Sequence, residues 1–126
     1  MTKRCSEQVQ EALESRMDDI ARMHKAGYWT EDDDVPEELR EELPGLANYG
    51  LCINKVEAET FEDQSKPYIR YQLSWGGPSE EFRLYEDGTL EFWFLDWFDG
   101  ASVEVLGEDK GIIEEIIEMS EVGFED

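Results

Sequence analysis

FRLYEDGTLEFWF, residues 82–94, is the stretch on which the fold turns. Two apolar series flank Asp87-Gly88: Phe82 and Leu84 before it, then Leu90, Phe92 and Phe94 after it. Alternation at period two marks each arm as a strand with one buried face. Turn length decides whether those faces agree, because a one-residue slip sends every side chain to the other side. A two-residue Asp87-Gly88 turn would set Leu84 opposite Glu91 and mix the faces. A three-residue loop, Glu86-Asp87-Gly88, sets Leu84 opposite Leu90 and Phe82 opposite Phe92. The second register is the expected one, with Gly88 in the left-handed position of a bulged turn. It also places Arg83 opposite Glu91 on the outer face, where a cross-strand ion pair is expected.

Upstream, Ile69, Tyr71, Leu73 and Trp75 alternate with Arg70, Gln72 and Ser74, a further half-buried strand that Gly76-Gly77-Pro78 breaks. Tyr49, Leu51 and Ile53 open another strand running to about Glu59, and residues 60–67 read as a loop ending in Pro67. Downstream, Asp99-Gly100 marks a turn, and Val103 and Val105 form a last short strand. Residues 6–25 read as an amphipathic helix with Val9, Leu13, Met17, Ile20 and His24 on one face, Ser6 capping its start and Gly27 following its end. Pro36 suits the first turn of a short helix through Leu43, which Pro44-Gly45 ends. Tyr28 and Trp29 are placed to anchor the preceding loop to the core. Residues 109–122 form the last helix, with Ile112, Ile113, Ile116 and Ile117 as its apolar face and Gly123 past its end. The expected class is α+β: an antiparallel sheet of about four strands with N-terminal and C-terminal helices packed on one face. No repeat or long linker divides residues 1–126, so one domain is expected.

Charge is the outstanding property. The chain has 33 acidic residues against 11 basic ones, a net charge of −22, yet 40% of it is apolar and 12% aromatic. That is enough for a core, unlike a disordered acidic tail. Self-repulsion of this size costs stability, which leaves solubility, cation binding or a basic partner as its reason. Direct binding to DNA or RNA is excluded, because phosphate contact needs Lys and Arg. The start of the chain, Met1-Thr2-Lys3-Arg4 and then polar residues, lacks the apolar stretch of a signal peptide, and no run approaches the roughly 18 apolar residues of a membrane span. A cytoplasmic protein is expected. Cys5 and Cys52 form no metal-like or redox-like spacing and are expected as free thiols.

Chemistry is hard to place. His24 stands alone on an apolar helix face, where a packed core histidine is the plain reading. Ser74 and Ser79 lie in no nucleophile pattern, and Gly76-Gly77 is too short for a phosphate loop. Asp32-Asp33-Asp34 lacks the alternation and glycine of a calcium loop and reads as a solvated charge run. No catalytic residue, cofactor or metal site is therefore expected, and the chain does not read as an enzyme.

The acids themselves are patterned. Glu7, Glu11, Glu14 and Asp18 form a stripe along the first helix, and Glu114, Glu118, Glu121 and Glu125 form one at the same spacing along the last. Like charges one turn apart destabilise a helix by roughly 0.2–0.5 kcal/mol per pair. Only Arg22 and Lys25 offset the first stripe. Either these are solvated outer faces, or they are spaced anionic surfaces that imitate a line of phosphates. Glu57 and Glu59 would add carboxylates about 6.6 Å apart on a strand. A second element is aromatic: Trp93 points away from the helix-packed face, and Trp97 and Phe98 sit at the strand end beside Asp96 and Asp99. Aromatic anchors ringed by charge are a common interface composition, although the segment 28–48 could instead cover Trp93.

Residues 71–100 resemble a group of small acidic proteins from bacterial viruses and prophages. Leu73-Ser74-Trp75-Gly76-Gly77-Pro78, the Leu95-Asp96-Trp97-Phe98 element and the short terminal helix carry the resemblance, which covers about half the chain. Accessory viral proteins of this size and charge include anti-CRISPR and anti-restriction inhibitors, some of them DNA mimics. The resemblance thus implies a defence inhibitor that works by binding. Its expected partner is a basic nucleic-acid-binding host protein, with no direct contact to nucleic acid or membrane. The alternative is a non-mimic interaction module or homodimer using the aromatic surface around Trp93 and Trp97.

Overall fold

The computed structural model describes residues 5–60, 64–75, 78–96 and 99–124, the side chains of residues 5 and 6 excepted. Three helices come first: α1 (Cys5–Ala26), α2 (Glu37–Glu42) and α3 (Leu46–Tyr49). Five strands follow: β1 (Cys52–Val56), β2 (Tyr68–Ser74), β3 (Ser79–Tyr85), β4 (Leu90–Asp96) and β5 (Asp99–Glu104). Helix α4 (Gly107–Met119) comes last. The strands pair in chain order, each antiparallel to the next, so the sheet is a meander with β1 and β5 at its edges. The α+β class with helices before and after an antiparallel sheet is as the periodicities require. Five strands pair where about four are expected, and Asp99-Gly100, expected as a turn, lies within β5, where Asp99 pairs with Asp96.

The decisive hairpin has the three-residue register. Leu84 faces Leu90, Phe82 faces Phe92 and Arg83 faces Glu91. The Tyr85 amide donates to the Thr89 carbonyl at 2.9 Å and the Gly88 amide to the Tyr85 carbonyl at 3.0 Å, with Gly88 at φ +90°. Asp87 accepts from the Thr89 amide, which holds its carboxyl below the ordinary range. The inward set is the core's centre: Phe82, Leu90 and Phe92 are fully buried, and the Phe82 and Phe92 rings lie 5.1 Å apart. Burying each such side chain contributes about 1.5–3 kcal/mol.

Helix α1 lies across β4 and β5 and also touches α3 and α4. It buries Val9, Leu13, Met17, Ile20 and Met23 against the sheet. Met23, not His24, closes this face. His24 is half-buried and pairs with Glu115 of α4, so the core-histidine reading is corrected. Ser6 lies inside α1, which begins at Cys5, and therefore is not its cap. Tyr28 is buried, its hydroxyl donating to the Leu43 carbonyl at 3.0 Å, and Trp29 packs partly on the core, so both anchor the loop as expected.

Other boundaries shift. Tyr49 belongs to α3, and the first strand runs only from Cys52 to Val56. Trp75 lies beyond β2 and is exposed, and Val105 is buried just past β5. Helix α4 stops at Met119, and Glu121 rather than Gly123 takes the left-handed conformation after it, at φ +64°.

Candidate partner-binding surface

A helix that buries one apolar face must present the other to solvent. On α1 that other face carries Glu7, Glu11, Glu14 and Asp18, and all four are exposed. At 1.5 Å per residue the row is about 16 Å long. Near its end one ion pair reaches α2. Arg22, one turn after Asp18, pairs with Glu42 at 2.7 Å, and the guanidinium is held above its ordinary pKa by Glu42 first, with Asp18 and Asp19 contributing. The exposed Glu42 of α2 is thus tied to the end of the α1 row by one exposed arginine.

The corresponding row on α4 does not form as its spacing implies. Glu118 is exposed and Glu114 half-buried, but α4 ends before Glu121, whose left-handed backbone takes it off the helical line. Glu125 lies outside the described residues. Glu57 and Glu59 make no strand row either: Glu57 follows β1 and pairs with Lys55 at 3.4 Å, and Glu59 sits at φ +64° in a turn. Within the aspartate run, Asp33 is structural. Its carboxylate accepts from the Thr30 and Trp29 amides at 3.0 and 2.8 Å, which lowers its pKa. Among the described residues, no three His, Cys, Asp or Glu side chains converge as a metal ion would need.

The aromatic element resolves in part. Trp93 points to the outer face as expected, but its surroundings are local. The Arg83 guanidinium lies 4.1 Å from the Trp93 ring centre and 4.7 Å from that of Tyr68, so it is held between two aromatic faces. That stacking turns Arg83 along its own strand to Glu81, at 2.7 Å, rather than across to Glu91. Glu91 instead accepts from the Trp93 indole at 3.0 Å. The expected Arg83–Glu91 ion pair is therefore corrected to Arg83–Glu81. The segment 28–48 packs into the helix-covered core, so it is not what covers Trp93. Trp97 and Phe98 lie outside the described residues. Asp96 is half-buried, and Asp99 is exposed, with its carboxylate accepting from the Gly100 amide.

Two features escaped the sequence. Trp75 is 75% exposed. The pairings Ser79–Leu95 and Asp96–Asp99 put it at the same end of the sheet as Asp96 and Asp99. Its signal in the sequence was the Gly76-Gly77-Pro78 that follows, a composition that ends strand patterns. The other is Arg16, which donates to both carboxylate oxygens of Glu80 at 3.2 and 2.8 Å and to the Tyr49 hydroxyl at 3.3 Å. Tyr49 in turn donates to Asp19 at 2.8 Å, and burial pushes its pKa up to about 12. This network ties α1 to the sheet and fixes the direction of the acidic row.

No helix among the described residues is long and apolar enough to cross a membrane. No protein-family model matches the chain, and neither a curated protein nor a solved structure matches it.

Proposed function

We propose that this chain inhibits a host nucleic-acid-targeting defence complex by binding, with the carboxylates of α1 lying along a basic channel that otherwise holds phosphates. The observation that carries this reading is the exposed α1 row of Glu7, Glu11, Glu14 and Asp18. Carboxylates at helical spacing on a rigid rod offer a basic groove fixed negative charge without a nucleic acid. Electrostatic steering then favours encounter with that groove. Binding alone accounts for the inhibition, and no catalytic step is invoked.

The test is displacement of labelled duplex DNA from purified CRISPR effector complexes and restriction enzymes. Displacement is expected at near-stoichiometric amounts and should weaken steeply between about 0.1 M and 1 M salt, where the screening length falls from about 10 Å to about 3 Å. A variant carrying Glu7→Gln, Glu11→Gln, Glu14→Gln and Asp18→Asn should lose it. Retained displacement by this variant, or indifference to salt, rejects the reading.

The second reading, docking or homodimerisation through aromatic side chains, is supported by Trp75 rather than by the half-buried Trp93. It expects a salt-insensitive complex that Trp75→Ala abolishes.

A further inference from the structure

Between α3, the start of β1 and the C-terminal end of α4 the surface opens into a groove of about 430 Å³. This lies within the roughly 300–1,000 Å³ of typical ligand clefts. Trp29, Leu46, Ile53, Tyr71, Ile116 and Val122 are among its walls, and none of its lining residues carries a formal charge. At its edges Leu51 and Met119 are 59% and 66% exposed, two of the four large apolar side chains that the described part of the fold leaves in water. Exposure of large apolar groups around one concavity marks a binding site more often than chance placement does.

The groove is held in shape. The Leu46 and Ala47 amides donate to the Tyr28 and Trp29 carbonyls at 3.0 and 2.9 Å, and the Leu51 amide to the Gln72 carbonyl at 2.7 Å. Gly50 is required at the wall, because a Cβ there would come within 2.2 Å of the Tyr71 ring. Such preorganisation removes part of the ordering cost of binding.

Its surroundings are anionic. Glu31, Glu118 and Glu121 are exposed, and each is adjacent in sequence to a lining residue. Glu115 lies behind Trp29, paired with His24, whose ring meets the Trp29 ring at 6.5 Å. The nearby cation Lys55 is bound to the Phe124 carbonyl at 3.0 Å and to Glu57. An uncharged floor with carboxylates around it selects an apolar group carried by a cationic neighbourhood, and the net charge of −22 repels acidic segments and anionic surfaces.

We infer that this groove receives a bulky apolar side chain from a lysine- and arginine-rich protein segment. The inference rests on the reading that the partner is basic, and it adds to the exposed acidic row an anchor that salt does not screen. Buried anchors of this kind dominate affinity, whereas rim charges mainly steer encounter.

The test uses the full chain and three synthetic peptides of equal length in an NMR titration. One is Lys/Arg-rich with two central leucines, one has the same charge with Gly-Ser in their place, and one is neutral with the leucines. The first is expected to bind at least about tenfold tighter than either other and to shift Leu46, Ile53 and Ile116. Met119→Ala and Leu51→Ala remove exposed side chains, so folding is not at risk. Each should weaken the first peptide by about fivefold and leave the second unchanged. Equal binding of the two basic peptides overturns the inference and leaves the acidic-row reading standing. Equal binding of the neutral and the basic leucine peptides overturns both, and unchanged affinity in both alanine variants overturns the groove alone.

Discussion

The carboxylates of the sheet and those of α1 are used differently. On the outer sheet face Glu81, only 3% exposed, is paired with an arginine clamped between two rings, and Glu91 accepts from an indole. At the start of β3, both carboxylate oxygens of Glu80 accept from Arg16, one from Nε and one from Nη2. On α1, Asp19 accepts from Tyr49, but Glu7, Glu11, Glu14 and Asp18 stand exposed in a row with one arginine at its end. The first set is needed by the fold. The second lies in solvent at a spacing that costs a helix roughly 0.2–0.5 kcal/mol per like-charged pair, and it is the surface that the proposed reading assigns to a partner.

The largest expected effect breaks the first half of the comparison. Arg83→Ala leaves Glu81 buried without its cation, and removing one partner of a buried pair costs about 3–5 kcal/mol. Arg83 keeps some solvent contact, so about 3 kcal/mol is expected in urea denaturation. Replacing both charges, Glu81→Leu with Arg83→Met, should restore most of that loss. A near-neutral Arg83→Ala would mean that the outer-face charges are no more structural than those of α1.

Next comes Arg16→Ala, expected to cost about 2 kcal/mol through the charge-assisted hydrogen bonds to Glu80 and the one to Tyr49. A smaller effect should appear at Asp33, readable through pH. Its carboxyl lies below the ordinary 3.8 because it accepts from the Thr30 and then the Trp29 amide. A depressed acid stabilises the fold above its unfolded pKa and loses that contribution as pH falls through the folded one. The Tm gap between wild type and Asp33→Ala should therefore be full at pH 7 and close below about pH 4. A gap that persists in acid would assign the loop's order to something other than the carboxylate.

What could be read in advance follows the same physical line. The 82–94 hairpin was legible because, of the two- and three-residue turns, only the second keeps Phe82, Leu84, Leu90 and Phe92 on one face. Register fixes backbone neighbours, however, and not where a long side chain ends. Arg83 reaches Glu81 because Tyr68 and Trp93 hold its guanidinium, and Tyr68 comes from a strand whose pairing the hairpin does not specify. Helix α3 is four residues long, too short to show a period, and Tyr49, Leu51 and Ile53 alternate across its boundary as a strand would. The α1 row was legible because 22 helical residues carry the spacing over several turns. Its α4 counterpart was not, because the helix stops before Glu121. The groove is assembled from α3, β1, β2, α4, two connections and the segment after α4, so no local pattern announces it.

The smallest expected effect on stability is the sharpest test of the comparison. Glu14 lies one turn from both Glu11 and Asp18, and its side chain accepts a long hydrogen bond, 3.5 Å, from Gln10. Glu14→Gln removes two like-charge neighbours at roughly 0.2–0.5 kcal/mol each, so a gain of a few tenths of a kcal/mol is expected. Glu14→Lys should gain more, because both neighbours become attractive. Proteins commonly keep such strain where function needs it, so both variants should bind the basic partner more weakly while melting higher. A variant that melts lower would place Glu14 with Glu81 and Glu80 among the acids the fold requires. The row would then be part of the scaffold, and the case for α1 as the contacting surface would fail with it.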